Sequence, residues 1–233
     1  MLENPKVFSI QQFQELDQRA ENEYQIKIET LMNQAGRAVY EEVIHFCTEQ
    51  GIQNPIHVLI FCGNGNNGGD GFACAQFFNY PKISAEIFCL KPKKLLKFDA
   101  FIQYEKIKKA ASVTFIETEI DNTPTERIQT AIKNCSIIVD AILGTGFKGS
   151  LSGITKQVIE WINQSQKPII SIDIPSGMNA DNLLTPNLTC VQATKTVTFT
   201  ALKKVFLHSS SKKWTGEIVV KNIGFPTELL ESI

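Results

Sequence analysis

Three segments of this 233-residue chain set oxygen-bearing side chains beside glycine at spacings that could do chemistry. The first is Cys62-Gly63-Asn64-Gly65-Asn66-Asn67-Gly68-Gly69-Asp70-Gly71. The second is Asp140-Ala141-Ile142-Leu143-Gly144-Thr145-Gly146-Phe147-Lys148-Gly149-Ser150. The third is Asp173-Ile174-Pro175-Ser176-Gly177. A glycine-rich turn between a strand and a helix aims backbone N–H groups and a helix N-terminus at a phosphate. The glycines and lysine of Gly144–Ser150 suit a second phosphate group. Asp140 and Asp173 stand at the tips of apolar runs, where a lone Asp is usually a turn or helix cap. Asn67, Asp140 and Ser176, with nearby backbone carbonyls, make an oxygen set suited to a hard cation. Such an ion would also relieve repulsion between carboxylates on neighbouring strands.

The elements that must position these segments alternate. Strand-like runs cover His57–Cys62, Ala85–Leu90, Val113–Ile116, Ser136–Leu143, Pro168–Ile174, Lys195–Ala201 and Glu217–Val220. Helical patterns cover Gly71–Tyr80, Phe98–Ala111, Pro124–Asn134 and Ile154–Gln164. Near-continuously apolar strands alternating with helices predict a mostly parallel sheet covered on both faces. The expected fold is thus α/β, a three-layer Rossmann-like sandwich forming one domain over 1–233, with an N-terminal helical extension. In that extension Phe13, Leu16 and Ala20 recur at helix spacing, and Ser9 with Gln12 reads as a capping box. A second helix starts near Lys27, and its Gly36 predicts close approach by another backbone.

Composition narrows the function. Hydrophobic residues make up 43% and charged residues 20%, enough for a sizeable core, and the formal net charge is −1. That balance points to neither nucleic acid nor an anionic membrane. No run approaches the ~20 apolar residues of a membrane span, and no signal peptide is visible. Cys47, Cys62, Cys74, Cys89, Cys135 and Cys190 form no CxxC pair and read as buried free thiols of a reducing, cytoplasmic compartment.

The first segment also fits G-x-G-x-x-G as Gly63, Gly65 and Gly68, with Glu86 near the end of the next strand where a dinucleotide fold places its ribose-binding acid. That predicts an NAD(P)-dependent oxidoreductase. It leaves the Asn66-Asn67-Gly68-Gly69-Asp70 core and the Asp173–Gly177 turn unexplained.

Together the three segments resemble the NAD(P)H-hydrate epimerase family. Leu31-Met32-Asn33-Gln34-Ala35-Gly36-Arg37-Ala38, Thr196-Val197-Thr198-Phe199, Gly216-Glu217-Ile218-Val219-Val220 and Ile223-Gly224-Phe225-Pro226 extend the resemblance over nearly the whole chain. The chain departs from the family at Asn33, where a Glu is usual, and at Thr194-Lys195, where an Asp is common. The resemblance implies an isomerase of nicotinamide cofactor repair, interconverting the R and S forms of hydrated NADH or NADPH (NADHX, NADPHX). It implies that Asn66, Asn67, Gly68, Gly69 and Asp70 contact the substrate's phosphates and ring. Gly144, Thr145, Gly146, Phe147, Lys148, Gly149 and Ser150 would wrap it. Asn67, Asp140 and Ser176 would hold one potassium ion per subunit, and Asp173 would contact the substrate near the reacting carbon, where the acid–base chemistry of that carbon makes it our expected catalytic residue. A separate dehydratase acting on the S form is the expected pathway partner, since the chain ends soon after the epimerase motifs, and a homodimer the expected assembly. The competing reading on the same fold is a non-catalytic nucleotide-binding or dimerisation scaffold, as in a domain of RNA-decapping enhancers.

Overall fold

The computed structural model describes residues 5–78, 82–109, 112–115, 123–181 and 189–233. Its central sheet has seven strands in the order β4-β3-β2-β5-β6-β7-β9, and every pair is parallel. The strands are β2 (Ile56–Cys62), β3 (Ile83–Cys89), β4 (Ser112–Phe115), β5 (Ile137–Ala141), β6 (Ile169–Ile172), β7 (Lys195–Phe199) and β9 (Glu217–Lys221). Order reverses between β2 and β5, which opens a crevice beyond their carboxyl ends.

Alternation along the strands sorts the core into two layers. Val58, Ile60, Ile87, Val139, Ile170 and Val197 face α1 (Ile10–Tyr24), α2 (Ile28–Glu49), α3 (Asn66–Ala75), α4 (Phe98–Ile107) and α8 (Thr227–Glu231). Leu59, Phe61, Phe88, Ile138 and Ile169 face α5 (Thr123–Asn134) and α6 (Gly153–Gln164). Both faces are buried, so the strands read as continuous apolar runs. No described helix is long and apolar enough to cross a membrane.

The Ser9–Gln12 capping box forms: Gln12 N donates to Ser9 Oγ at 3.3 Å and Ser9 N to Gln12 Oε1 at 3.0 Å. Gly36 is where α2 meets α3, since a Cβ there would lie 2.5 Å from the Ala73 carbonyl carbon. Lys195, buried in β7, donates to Glu42 of α2 at 3.3 Å and so ties the sheet to that helix. Asn33 accepts from Lys106 of α4 at 3.4 Å. Both departures from the family pattern therefore sit in inter-element contacts.

Element boundaries shift by a few residues, and one shift matters. Helix α3 begins at Asn66 rather than Gly71, so the Asn-Asn-Gly-Gly-Asp core is helix rather than loop. Its glycines and asparagines have low helix propensity, and packing overrides it. The expected ends of this helix at Tyr80, of α4 at Ala111 and of β4 at Ile116 lie outside the described residues. A second sheet was not anticipated: β1 (Val7–Phe8) pairs in parallel with β8 (Leu202–Lys203), which docks the N-terminal segment beside the end of β7. Two-residue strands carry no periodicity to read. A short helix, α7 (Lys212–Thr215), precedes β9.

Candidate active site

The three motif segments all leave carboxyl ends of sheet strands: β2, β5 and β6. In the first, Gly68 is sterically required, since a Cβ would lie 2.0 Å from Gly63 O, whereas a Cβ at Gly65 would meet open space. The N-cap of α3 is Gly65, so no side chain caps the helix and its first amides face the crevice mouth without one.

Asn67, Asp140 and Ser176 gather around the Leu143 peptide. Asn67 Nδ2 donates to Leu143 O at 3.0 Å, and Leu143 N donates to Ser176 Oγ at 2.8 Å. Asp140 is fully buried and saturated. Its Oδ1 accepts from the Ser176 hydroxyl and from Ile142 N at 3.3 Å; its Oδ2 accepts from Ser171 Oγ at 2.8 Å and Ser176 N at 2.9 Å. Burial raises the Asp140 pKa, and these hydrogen bonds oppose the rise. Among the described residues Asn67 Oδ1 is buried with no hydrogen-bond partner, an exception to the rule that buried polar atoms are satisfied. A Cβ at Gly144 would lie 3.2 Å from Asn67 Cβ, so this glycine lets the second loop cross the asparagine. Beyond it Phe147 N donates to Gly144 O at 3.1 Å, and Lys148, Gly149 and Ser150 are exposed.

Asp173 sits differently. Ile174 N donates to Ile172 O at 2.7 Å across it, and its φ is +65°, which makes it the centre of a γ-turn of the strained hand. Strict alternation would send Asp173 to the face of Ser171. The turn re-aims it, and its Oδ1 instead accepts from the Lys203 ammonium, from Thr198 Oγ1 at 3.3 Å and from Phe199 N at 3.4 Å. Thr200, one strand over, repeats the device with φ +68° and an Ala201 N to Phe199 O bond of 2.7 Å.

Two more carboxyl groups face this pair. Asp70 of α3 is pushed well above the usual carboxylate range, by burial first and then by Asp173 and Asp17, with Lys203 opposing. Asp17 of α1 is open to solvent yet crowded by its neighbours. Burial and then Asp173 push it up to about 6, against Lys203. The expected repulsion between Asp140 and Asp173 is therefore not the tension of the site. Asp173 is coupled to Asp17, Asp70 and Lys203, while hydrogen bonds satisfy Asp140.

Lys203 and Asp17 escaped the sequence reading. One signal was present: Asp17 lies one turn after Phe13 on the apolar side of α1, a poor place for a charge unless it has a partner. Lys203 had none, because its partner Asp173 lies 30 residues away in sequence.

Glu86 is corrected. It lies in the middle of β3, three residues short of the strand's end at Cys89, and pairs with Arg127 of α5 at 3.0 Å. It is not at the carboxyl edge where a dinucleotide fold holds a ribose. All six cysteines are free and buried, and burial raises the Cys47 thiol to about 11. Among the described residues no three His, Cys, Asp or Glu side chains group as a metal site.

A parallel sheet with its strand order reversing above such a crevice defines a Rossmann-like α/β protein. Comparison with known proteins makes this specific. The family model described as YjeF-related protein N-terminus matches residues 28–205. The chain is 36% identical over 220 residues to the NAD(P)H-hydrate epimerase of Rhodopirellula baltica, covering 94% of this chain and 85% of that protein. It is 30% identical over 228 residues to the NAD(P)H-hydrate epimerase of Elusimicrobium minutum, covering 98% and 100%. It is 34% identical over 219 residues to the bifunctional NAD(P)H-hydrate repair enzyme Nnr of Moorella thermoacetica, where it spans 93% of this chain but only 40% of the relative. A crystal structure of the yeast protein ynu0 shares the fold with a TM-score of 0.77, at 22% identity over 97% of this chain and 93% of that one. The chain belongs to the YjeF N-terminal, NAD(P)H-hydrate epimerase family.

Proposed function

We infer that this chain is an NAD(P)H-hydrate epimerase, an isomerase that interconverts the R and S forms of hydrated NADH and NADPH. The observation that carries the reading is the match to stand-alone epimerases along nearly the whole of both chains. In the hydrate, the reacting C6 bears a hydroxyl and the ring nitrogen. The nitrogen lone pair expels the hydroxyl as water once an acid protonates it, leaving a planar iminium. Water then adds to the other face while a base takes its proton. One carboxyl group can give the proton and take it back, so the cycle balances. Asp173 fills this role in our reading. Once it has given up its proton, its charge favours a cationic intermediate. The α3 N-terminus at Asn66–Asp70 and the Gly144–Ser150 loop, with Lys148 exposed, would receive the phosphates.

Asn67, Asp140 and Ser176 would hold a cation, for which potassium is our choice. The orphaned Asn67 Oδ1 and the all-oxygen donor set support a hard ion. When bound, such an ion supplies fixed positive charge beside Asp140. A dehydratase consuming the S form is the pathway partner in our reading, and relatives named as bifunctional repair enzymes support it. A homodimer in a reducing compartment completes the reading, and the six free thiols support the compartment.

The test is chromatographic. Purified R-hydrate incubated with the protein should yield the S form far faster than the uncatalysed reaction. Binding without conversion would replace this reading with a scaffold. An absorbance change with an alcohol or carbonyl substrate would replace it with an oxidoreductase.

A further inference from the structure

The two oxygens of Asp173 are in different states. Oδ1 carries three donors: the Lys203 ammonium, the Thr198 hydroxyl and the Phe199 amide. Oδ2 accepts from no described residue, and the side chain keeps 17% of its surface open. The Lys203 side chain is only 2% exposed. Its ammonium also donates to Thr198 Oγ1 at 2.7 Å and lies 4.4 Å from the centre of the Phe13 ring. Taking an ammonium out of water is costly, and an apolar residue of similar volume often serves stability as well or better. Burial lowers the Lys203 pKa, while Asp173, Asp17 and Asp70 favour its charged form. A lysine kept here against that cost calls for a use beyond packing.

We propose that Lys203 is a positioning residue for Asp173: it clamps Oδ1 and leaves Oδ2 as the oxygen that gives and takes the proton. The inference rests on reading Asp173 as the acid–base group. Three donors already occupy Oδ1, which leaves Oδ2 as the oxygen open to a proton. The clamp also fixes the plane of a side chain that hangs from a γ-turn of the strained hand. Without it the carboxylate could swing, and displacement by an ångström is enough to slow a reaction about 100-fold. The pairing of β1 with β8 gains a purpose too. It sets Lys203 opposite Phe8 and brings α1, with Phe13, over the ammonium.

The test measures R-to-S conversion by the full chain and three variants, each first checked for a native circular dichroism spectrum and melting curve. Lys203→Met, near-isosteric and apolar, should fold and lose about 100-fold in kcat with KM within about threefold of native. Lys203→Ala should lose as much and regain roughly tenfold with added propylammonium, but nothing with 1-propanol, because the missing part is a charged donor. Native kcat in Lys203→Met, or equal rescue by the alcohol, overturns the clamp. Asp173→Asn separates the two levels. An inactive Asp173→Asn beside a fully active Lys203→Met overturns the clamp alone, and an active Asp173→Asn overturns the acid–base reading together with it.

Discussion

Asp140 and Asp173 are the same residue type at the same place in a repeated pattern, the end of an apolar parallel strand, and they end in opposite conditions. Asp140 has no exposed surface and accepts hydrogen bonds on both oxygens, from Ser171, Ser176 and Ile142. Among the described residues, Asp173 accepts hydrogen bonds on Oδ1 alone. The cause is local backbone. Asp140 follows the pleat and is packed into the α5/α6 side of the sheet beside Ser171. Asp173 leaves the pleat through a γ-turn with φ +65° and meets groups from α1, α3 and β8. A saturated carboxylate holds loops together, and a proton or a cation reaches it only by displacing a donor. A half-saturated one can do chemistry.

The comparison breaks most sharply at Asp173. Asp173→Asn should lower kcat by about 10³-fold. It should move Tm by less than about 4 °C, because Asp17 and Asp70 still face the buried Lys203. A large fall in Tm with little loss of rate would make Asp173 the structural member of the two. Asp140→Ala should do the reverse, stranding the hydroxyls of Ser171 and Ser176 and two backbone amides. The expected loss is about 3–5 kcal/mol, read as a drop in Tm of about 10 °C.

This asymmetry was half legible in the sequence. Both aspartates stood out because each ended an apolar run and was followed by Gly or Pro, and the strands lie within about two residues of where the apolar runs put them. The convergence of Asn67, Asp140 and Ser176 followed from parallel strands delivering their loops to one edge. What separates the carboxylates was not legible. A γ-turn centred on a non-glycine residue has no composition signal, and alternation assigns Asp173 to the wrong face. Lys203 reaches Asp173 only because β8 pairs with β1, and neither strand is long enough to show a period. The start of α3 was misplaced because glycine and asparagine punctuate loops far more often than they open helices.

A third prediction sharpens the Asp140 side. If Asn67 Oδ1 is the open position of a cation site, potassium should raise Tm of the native chain relative to a tetramethylammonium buffer. The gain is about 2.7 kcal/mol when the ion is at 100 times its Kd. Asn67→Leu should melt at a Tm independent of potassium. The Asp173→Asn variant should keep the full potassium increment, because its carboxylate lies outside that set. A potassium response lost in Asp173→Asn instead would merge the two regions into one.

The smallest expected effect tests the crowding around Asp173. The Asp17 carboxyl is raised from 3.8 to about 6 by burial and by Asp173. A carboxyl whose pKa is higher folded than unfolded binds more protons in the folded state between those two values. Stability therefore falls as pH rises from about 4 to about 6, and the deficit persists above. Asn does not titrate, so Asp17→Asn should match the native chain below pH 4, gain through that window and keep its advantage at pH 8. Because Asp17 is open to solvent, screening limits the gain to about 1 kcal/mol, or roughly 2–4 °C in Tm. Thermal melts at pH 3.5 and pH 8 give the answer. An equal gain at both values would mean the substitution acts through helix packing rather than charge. The gain should shrink in Asp173→Asn, where the second cause of the shift is gone, and be unchanged in a chain carrying a substitution at Ser171 that disturbs only Asp140. That pairing asks directly whether Asp17 belongs to the half-saturated carboxylate and not to the saturated one.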